Sequence, residues 1–222
     1  MSKEKPLQMD LVKRYGELAK RLKNYKNSPK GNNPNYFWYG FGLIHNRILS
    51  LTEILSYYYK KWNEFLENNP SISDEIVIKD IFGRITTVTT WCFISTFAGI
   101  EFTIKNVIKD STRNEFLKLK KDLTGGKRVY LEDIIKKSIV SNLVTSEDLP
   151  KWIALIELRN IFVHNNGYPD DDRLYEPIKR HFTHFKKDEM IMGPYDVFFT
   201  LTEMLVTLYE SWAKNYIDEN TA

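Results

Sequence analysis

Residues 39–67 read YGFGLIHNRILSLTEILSYYYKKWNEFLE, and apolar side chains recur along them every three or four positions. That period matches one face of an α-helix, and Asn68-Asn69-Pro70 directly afterwards is typical of a helix end. The stretch therefore predicts a long amphipathic helix that buries one stripe. The stripe consists of Leu43, Ile44, Ile48, Leu51, Ile54, Leu55, Tyr58, Trp62 and Phe65.

Helical patterning continues on both sides of this stretch. Residues 6–26 alternate charged and apolar positions at helical spacing and run into a cluster of turn formers at 27–35. From about residue 74 to residue 108 a second long apolar pattern follows. Its Thr-rich centre, residues 85–90, has strand propensity, but the pattern is far longer than a strand, so a helix is predicted.

The remaining chain predicts shorter helices and a closing one. A helix is expected at about 131–140, another ends near residue 164, and a third covers about 195–216. Residues 180–193 fit a small β-hairpin lying over the bundle. The predicted protein is therefore all-α, with an N-terminal helical arm and loop at 1–35 and one helical-bundle domain at 36–222.

Composition narrows the class of protein. Over 222 residues, 42% are hydrophobic and 27% charged, as in an ordinary globular domain, and the net charge of +3 is too small for a nucleic-acid coating protein. Cys92 is the single cysteine, so no intramolecular disulfide is possible, and a small core side chain is its expected role. Trp91 to Ile104 is too short for a membrane span and predicts a buried core helix. With no export signal visible, a cytoplasmic location is expected.

The helix that ends near residue 164 carries the candidate chemistry. Arg159 and Asn160 are predicted on the two flanks of its apolar stripe, and Asn160 and His164 are adjacent because they lie four residues apart. The predicted stripe is Leu149, Trp152, Ile153, Ile156 and Val163, whereas Lys151, Ala154, Glu157 and Ile161 are predicted largely on the opposite side. Such a set predicts a shared cleft rather than a surface patch.

Each of these polar side chains also has a structural interpretation. An Arg directed towards a packing face needs a carboxylate or an anionic ligand, and Glu101, which interrupts the apolar pattern of the second long helix, is the candidate internal partner. His164 alone would suit the negative end of a helix dipole. Together, however, Arg159, Asn160 and His164 provide a fixed cation, an amide and a titratable group, which suits phosphoryl transfer.

Arg159-Asn160, three further residues and His164, followed by Asn165-Asn166-Gly167, resemble the Arg-polar-x-x-x-His motif of the HEPN superfamily. The resemblance is close over the motif helix and extends over residues 40–215 in helix order only. It implies an elongated helical bundle of HEPN type that cleaves RNA without a metal or other cofactor, in a cleft shared by a homodimer. It also implies His164 as general acid or base, Arg159 as the stabiliser of charge at phosphorus, and Asn160 as an orienting group.

The resemblance further suggests a toxin–antitoxin, stress or antiviral setting, in which tRNA is a candidate substrate and a cognate antitoxin or regulatory protein a candidate partner. Because the superfamily includes non-catalytic members, a nucleotide-binding, RNA-binding or protein-interaction module is the alternative, and a scaffold built on the aromatic stripes is a third. These expectations rest on analogy with the family.

A basic aromatic segment is the second candidate site. Lys179, Arg180, Lys186 and Lys187 surround Phe182 and Phe185, a combination that could grip single-stranded RNA by charge and stacking, although a solvated charged face is the simpler interpretation. His181 and His184 are spaced like a metal pair, but no further ligands accompany them, and a metal site is not expected.

Overall fold

The computed structural model describes residues 8–26, 35–69, 74–165, 167–169, 176–194 and 196–218. These residues form eight α-helices and a short 3₁₀ turn, and no strand, which confirms the predicted all-α fold. The helices are α1 (Gln8–Lys26), α2 (Asn35–Asn68), α3 (Asp74–Asp110), α4 (Leu117–Thr124), α5 (Leu131–Val140), α6 (Asp148–His164), α7 (Glu176–Lys179) and α8 (Val197–Asp218). None of the helices within the described ranges has the length and apolarity needed to cross a membrane.

The two longest helices, α2 and α3, form an antiparallel pair. Gly40 lies against Thr103 near the start of α2, whereas Tyr58 near its end shares a cavity with Arg84 and Val88 near the start of α3. α3 is helical throughout, as predicted, because its threonines bond to their own helix: the hydroxyls of Thr89 and Thr103 donate to the carbonyl oxygens four residues earlier at 2.8 Å.

The N-terminal helix belongs to the bundle core. α1 packs along α2 and also contacts α8. It contributes buried side chains throughout its length, namely Leu11, Tyr15, Leu18, Ala19 and Leu22. The segment predicted as an arm therefore packs as a full layer of the bundle, while residues 27–34 of the predicted loop lie outside the described residues.

The closing helix α8 fills the centre and runs parallel to α3. Phe198 contacts Phe93, and Tyr216 donates a hydrogen bond to Ser111 at 2.9 Å near the other end of α3. Trp212, which is fully buried, donates from its indole N–H to Ser138 on α5 at 3.0 Å. These contacts hold α3, α5 and α8 in one core. Helix α6 packs against α3, α5, α7 and α8.

The predicted hairpin is reduced to a single antiparallel bridge between His184 and Met192. The backbone N–H of each residue donates to the carbonyl of the other at 3.0 Å, but no ladder continues on either side in the described residues. Asp188 sits at the turn with φ of 56°, in the left-handed region. A charged turn of this length therefore closes without forming strands.

Candidate functional site

The motif ends α6 at a defined point. The backbone N–H groups of Asn165 and Gly167 both donate to the carbonyl oxygen of Ile161, at 2.9 and 3.2 Å. Gly167 has φ of +87°, a left-handed conformation that glycine adopts at little cost. His164 is consequently the last helical residue, and its side chain lies at the negative end of the helix dipole.

The predicted faces of α6 were wrong in part. Ala154 and Ile161, expected opposite the apolar stripe, are only 2% and 6% exposed, whereas Val163, expected within it, is 44% exposed. The physical reason is that four helices pack on α6, so its buried arc is wide and does not follow one stripe. Among the described residues His164 is exposed and Asn160 is partly exposed.

Arg159 is anchored to α3. Its Nη2 donates to Oε2 of Glu101 at 2.7 Å, and its Nη1 donates to Oδ1 of Asn160 at 2.9 Å. The other oxygen of Glu101 accepts from Nζ of Lys105 at 2.7 Å. The guanidinium also lies 5.6 Å from the centre of the Phe97 ring. The internal ion pair considered from sequence is therefore formed, and it fixes the position of the cation.

His164 contrasts with Arg159 because its imidazole is exposed. Among the described residues it makes no hydrogen bond or ion pair. Asn160, one helical turn earlier, is partly exposed, and its side-chain oxygen accepts from Arg159. The arrangement places an exposed imidazole and an amide beside a cation held by Glu101, which is a set of groups able to engage a phosphodiester.

The basic segment lies beside the end of the motif helix. The backbone N–H of Ile191 donates to the carbonyl of Gly167 at 3.0 Å, and that of Asp188 donates to the carbonyl of Pro169 at 2.8 Å. Residues 183–192 are thereby attached to the loop that directly follows His164. Sequence analysis missed this attachment, because hydrogen bonds between two irregular backbone segments leave no pattern in side-chain types.

The four basic residues of this segment differ in exposure, and Lys186 pairs with Glu189 at 3.9 Å. Arg180, Lys186 and Lys187 are exposed, and Lys179 is partly buried within α7. The expected stacking surface is only partly present, because Phe185 is 7% exposed and packs edge-on against Phe182, with ring centres 5.7 Å apart. The exposed apolar side chains of the segment are instead Met190 and Met192.

The two histidines of the segment are separately engaged. Nε2 of His184 pairs with the carboxylate of Glu189, while Nε2 of His181 is buried with no hydrogen-bond partner in the described residues. Burial, followed by the nearby Arg180, lowers the pKa of His181. No group of three His, Cys, Asp or Glu side chains converges on one point in the ranges that the structure describes.

Comparison of the chain with family models, with curated proteins and with solved structures finds no match.

Proposed function

We propose that the protein is a metal-independent endoribonuclease whose active site is completed by a second copy of the chain, as in the HEPN superfamily that its motif resembles. The observation that carries the proposal is the exposed side chain of His164, which has no partner among the described residues and lies one helical turn from Asn160, beside the anchored Arg159.

In the proposed reaction one His164 imidazole takes the proton of a ribose 2′-hydroxyl. The 2′-oxygen attacks phosphorus, the bond from phosphorus to the 5′-oxygen breaks, and an imidazolium returns a proton to that oxygen. The products are a 2′,3′-cyclic phosphate and a free 5′-hydroxyl. Because DNA lacks the attacking hydroxyl, RNA is the substrate class.

The need for both a base and an acid favours a homodimer. Each chain supplies one His164, and two copies of α6 facing each other supply a base and an acid to one phosphodiester. Val163, next to His164 and 44% exposed, offers an apolar contact between the two copies. This arrangement places the shared cleft between two chains, which agrees with an outward-facing motif in each.

Arg159 and Asn160 support the charge that develops at phosphorus. Nη1 of Arg159 exchanges the Asn160 oxygen for a phosphate oxygen, while Nη2 stays bound to Glu101 and keeps the guanidinium in place. Asn160 then turns its amide towards the phosphate or the histidine. Lys186 and Lys187 lie on the segment attached beside the motif and would hold the flanking RNA backbone.

The biological setting follows from the resemblance and is proposed as toxin–antitoxin, stress or antiviral defence, with tRNA as a candidate substrate. A cognate antitoxin or other regulatory protein would then restrain the nuclease. The expected location is the cytoplasm, where such RNA is found.

The decisive experiment incubates purified protein with total RNA and with tRNA in excess EDTA. We expect cleavage by wild type, and a loss of roughly 100-fold or more in His164→Ala, as for removal of a general acid or base. Arg159→Ala should lose a similar amount and Arg159→Lys somewhat less. Arg128→Ala, which removes an exposed cation stacked on Tyr130, is the matched control and should cleave normally.

The ends of the products provide a second readout, which tests the proposed attack by the 2′-hydroxyl. New 5′ ends should accept phosphate from polynucleotide kinase without prior phosphatase treatment, and new 3′ ends should be cyclic phosphates. Inactivity of wild type on every RNA tested, while it is folded and dimeric, would refute catalysis.

The alternative function is a non-catalytic binding module. It is favoured by the Arg159, Glu101 and Lys105 network, because both terminal nitrogens of Arg159 already have partners within the chain. In this case RNA or nucleotide should bind without cleavage. His164→Ala should then weaken binding measured by filter retention, whereas a pure scaffold would show no RNA binding at all.

A further inference from the structure

The outer face of the α2 and α3 pair carries an apolar groove that the described residues leave open. On α3, the exposed or partly exposed positions 84, 88, 91, 95, 98 and 102 recur every three or four residues and therefore form one line. Within it Trp91 is 64% and Phe102 50% exposed. Trp91 was expected in a buried core helix, so its exposure corrects that prediction.

A matching line of residues borders the groove on α2. Tyr39 is 61% exposed and its ring contacts that of Phe102, with centres 6.4 Å apart. Ile54, 45% exposed, lies on the same line, which reaches Tyr58 at the far end of the groove. At that end lies an open depression of about 380 Å³, lined by Tyr58 of α2 and by Asp80, Gly83, Arg84, Thr87 and Val88 of α3.

Arg47, near the middle of this groove, has an unsatisfied polar atom. Its Nη1 is buried and has no hydrogen-bond partner in the described residues. The guanidinium crosses α3 at Gly99, where Nη1 lies 2.9 Å from the position that a Cβ would occupy. Nη1 itself has no accessible surface, but Arg47 as a whole is partly exposed and forms no ion pair among the described residues. A partly desolvated cation of this kind favours a carboxylate supplied from outside the chain.

The other cations along the groove already have partners. Arg84 pairs with Asp80 on α3 at 3.0 Å, and Lys105 pairs with Glu101 at 2.7 Å. Lys61 pairs with Glu64 on α2 at 2.9 Å. Arg47 is thus the cation that has no ion pair in the described part of the groove, and it marks where an anionic group would bind.

We infer that this groove binds an amphipathic helix of an acidic partner protein, which buries its apolar side against Trp91, Phe102 and Ile54 and places a carboxylate on Arg47. The groove between two antiparallel helices runs about 27 Å along positions 84–102, the length of an 18-residue helix. A helix satisfies its own backbone groups, which suits an apolar groove. The inference does not depend on the proposed nuclease activity.

A second copy of the chain fits this surface less well. In a two-fold pairing of identical grooves, residues near the middle lie close to the symmetry axis. Each Arg47 would then approach the other Arg47 instead of a carboxylate, and like charges would be buried together. The charge at the centre of the groove therefore favours a different, acidic occupant.

The test uses two synthetic 18-residue helical peptides with leucines along one face, identical except for Glu or Gln at the central position. Binding to wild-type protein is measured by fluorescence anisotropy. We expect the Glu peptide to bind about tenfold more tightly, the effect of one charged hydrogen bond. This comparison needs no variant of the protein and so does not depend on any variant folding.

Variants then locate the binding. In Arg47→Met the preference for Glu should disappear, and the thermal stability of the free protein should stay the same or rise, because an unpaired charge is removed. Trp91→Ser with Phe102→Ser should weaken both peptides at least tenfold, whereas Tyr130→Ser, equally exposed but on another surface, should change neither.

Equal affinity of wild type for the two peptides, or no binding of either, would overturn the inference. So would sedimentation showing that Trp91→Ser with Phe102→Ser converts a dimer of the free protein to monomers, since the groove would then belong to a second copy.

Discussion

Arg159 on α6 and Glu101 on α3 form an ion pair across 58 positions of sequence, with 2.7 Å between Nη2 and Oε2. Their side chains are only 24% and 18% exposed, so the pair is better protected from solvent than an exposed pair such as Lys136 and Glu132, at 58% and 37%. Since Glu101 also binds Lys105, one carboxylate neutralises two cations. The contact ties the motif helix to the longest helix of the bundle.

Replacement of this carboxylate should therefore destabilise the fold. Glu101→Gln keeps the shape but removes the charge between Arg159 and Lys105, and we expect the free energy of unfolding to fall by about 1–2 kcal/mol. Urea denaturation measures the change. Glu132→Gln is the matched control, because Glu132 pairs with Lys136 in an exposed i, i+4 contact whose loss should cost about 0.5 kcal/mol or less. Equal losses in the two variants would show that the Glu101 pair contributes no more to the free energy of unfolding than an exposed surface pair.

The long helices could be predicted from sequence because their signal is local and repeated. Apolar positions recur over eight or more turns in α2 and α3, and the Thr-rich centre of α3 stays helical because its hydroxyls bond to the preceding turn. The residues of the motif and the partner of Arg159 could be named for a similar reason: an Arg and a Glu each interrupt an apolar pattern.

Other features depend on packing that periodicity does not encode. Trp91 fits an apolar repeat yet points outward, since nothing in one helix says how many neighbours cover it. The faces of α6 were misassigned for the opposite reason, because four neighbours bury Ala154 and Ile161 along with the expected stripe. The attachment of residues 183–192 beside His164 uses backbone atoms alone and so has no residue signature.

The turn after the motif helix should be sensitive to a methyl group at Gly167. Gly167→Ala places a non-glycine residue at φ of +87° and a Cβ 3.1 Å from the Phe162 ring, so we expect a loss of about 2 kcal/mol in unfolding free energy. Gly126→Ala is matched in backbone strain, with φ of +76°, but its Cβ meets nothing within 4 Å. That control should lose about 1 kcal/mol, and the difference measures the contact with Phe162. If Gly126→Ala costs as much, the ring does not resist the methyl group.

A buried hydrogen bond in the centre of the bundle gives a third prediction. Ser138 accepts the indole N–H of Trp212 at 3.0 Å while its own hydroxyl donates to Ile134 at 2.8 Å. Ser138→Ala leaves the buried indole N–H unpaired, and we expect a loss of about 1–3 kcal/mol in chemical denaturation. In a Trp212→Phe background the same change should cost much less, because no donor is abandoned.

Ser56→Ala provides the control for the helical hydroxyl itself. Ser56 donates to the carbonyl of Thr52 at 2.8 Å, like Ser138 to Ile134, but it is exposed. Its replacement should change the stability by less than about 0.5 kcal/mol. An undiminished cost of Ser138→Ala in the Trp212→Phe background would assign the effect to packing and not to the indole bond.

The single cysteine should report opening of the core. Burial raises the pKa of the Cys92 thiol to about 12, against weaker opposing effects of Thr96 and Arg47. At pH 8 the native thiolate fraction is then on the order of 10⁻⁴, so labelling by Ellman's reagent should proceed only through opened or unfolded molecules. We expect labelling in native buffer to be roughly 1,000-fold slower than in guanidinium chloride, and to accelerate in destabilised variants such as Ser138→Ala.

Ser146→Cys in a Cys92→Ala background, which places a thiol at an exposed position, should label rapidly in both conditions. Rapid native labelling of Cys92 itself would mean that the packing of α3 against α2 opens far more readily than a closed core allows.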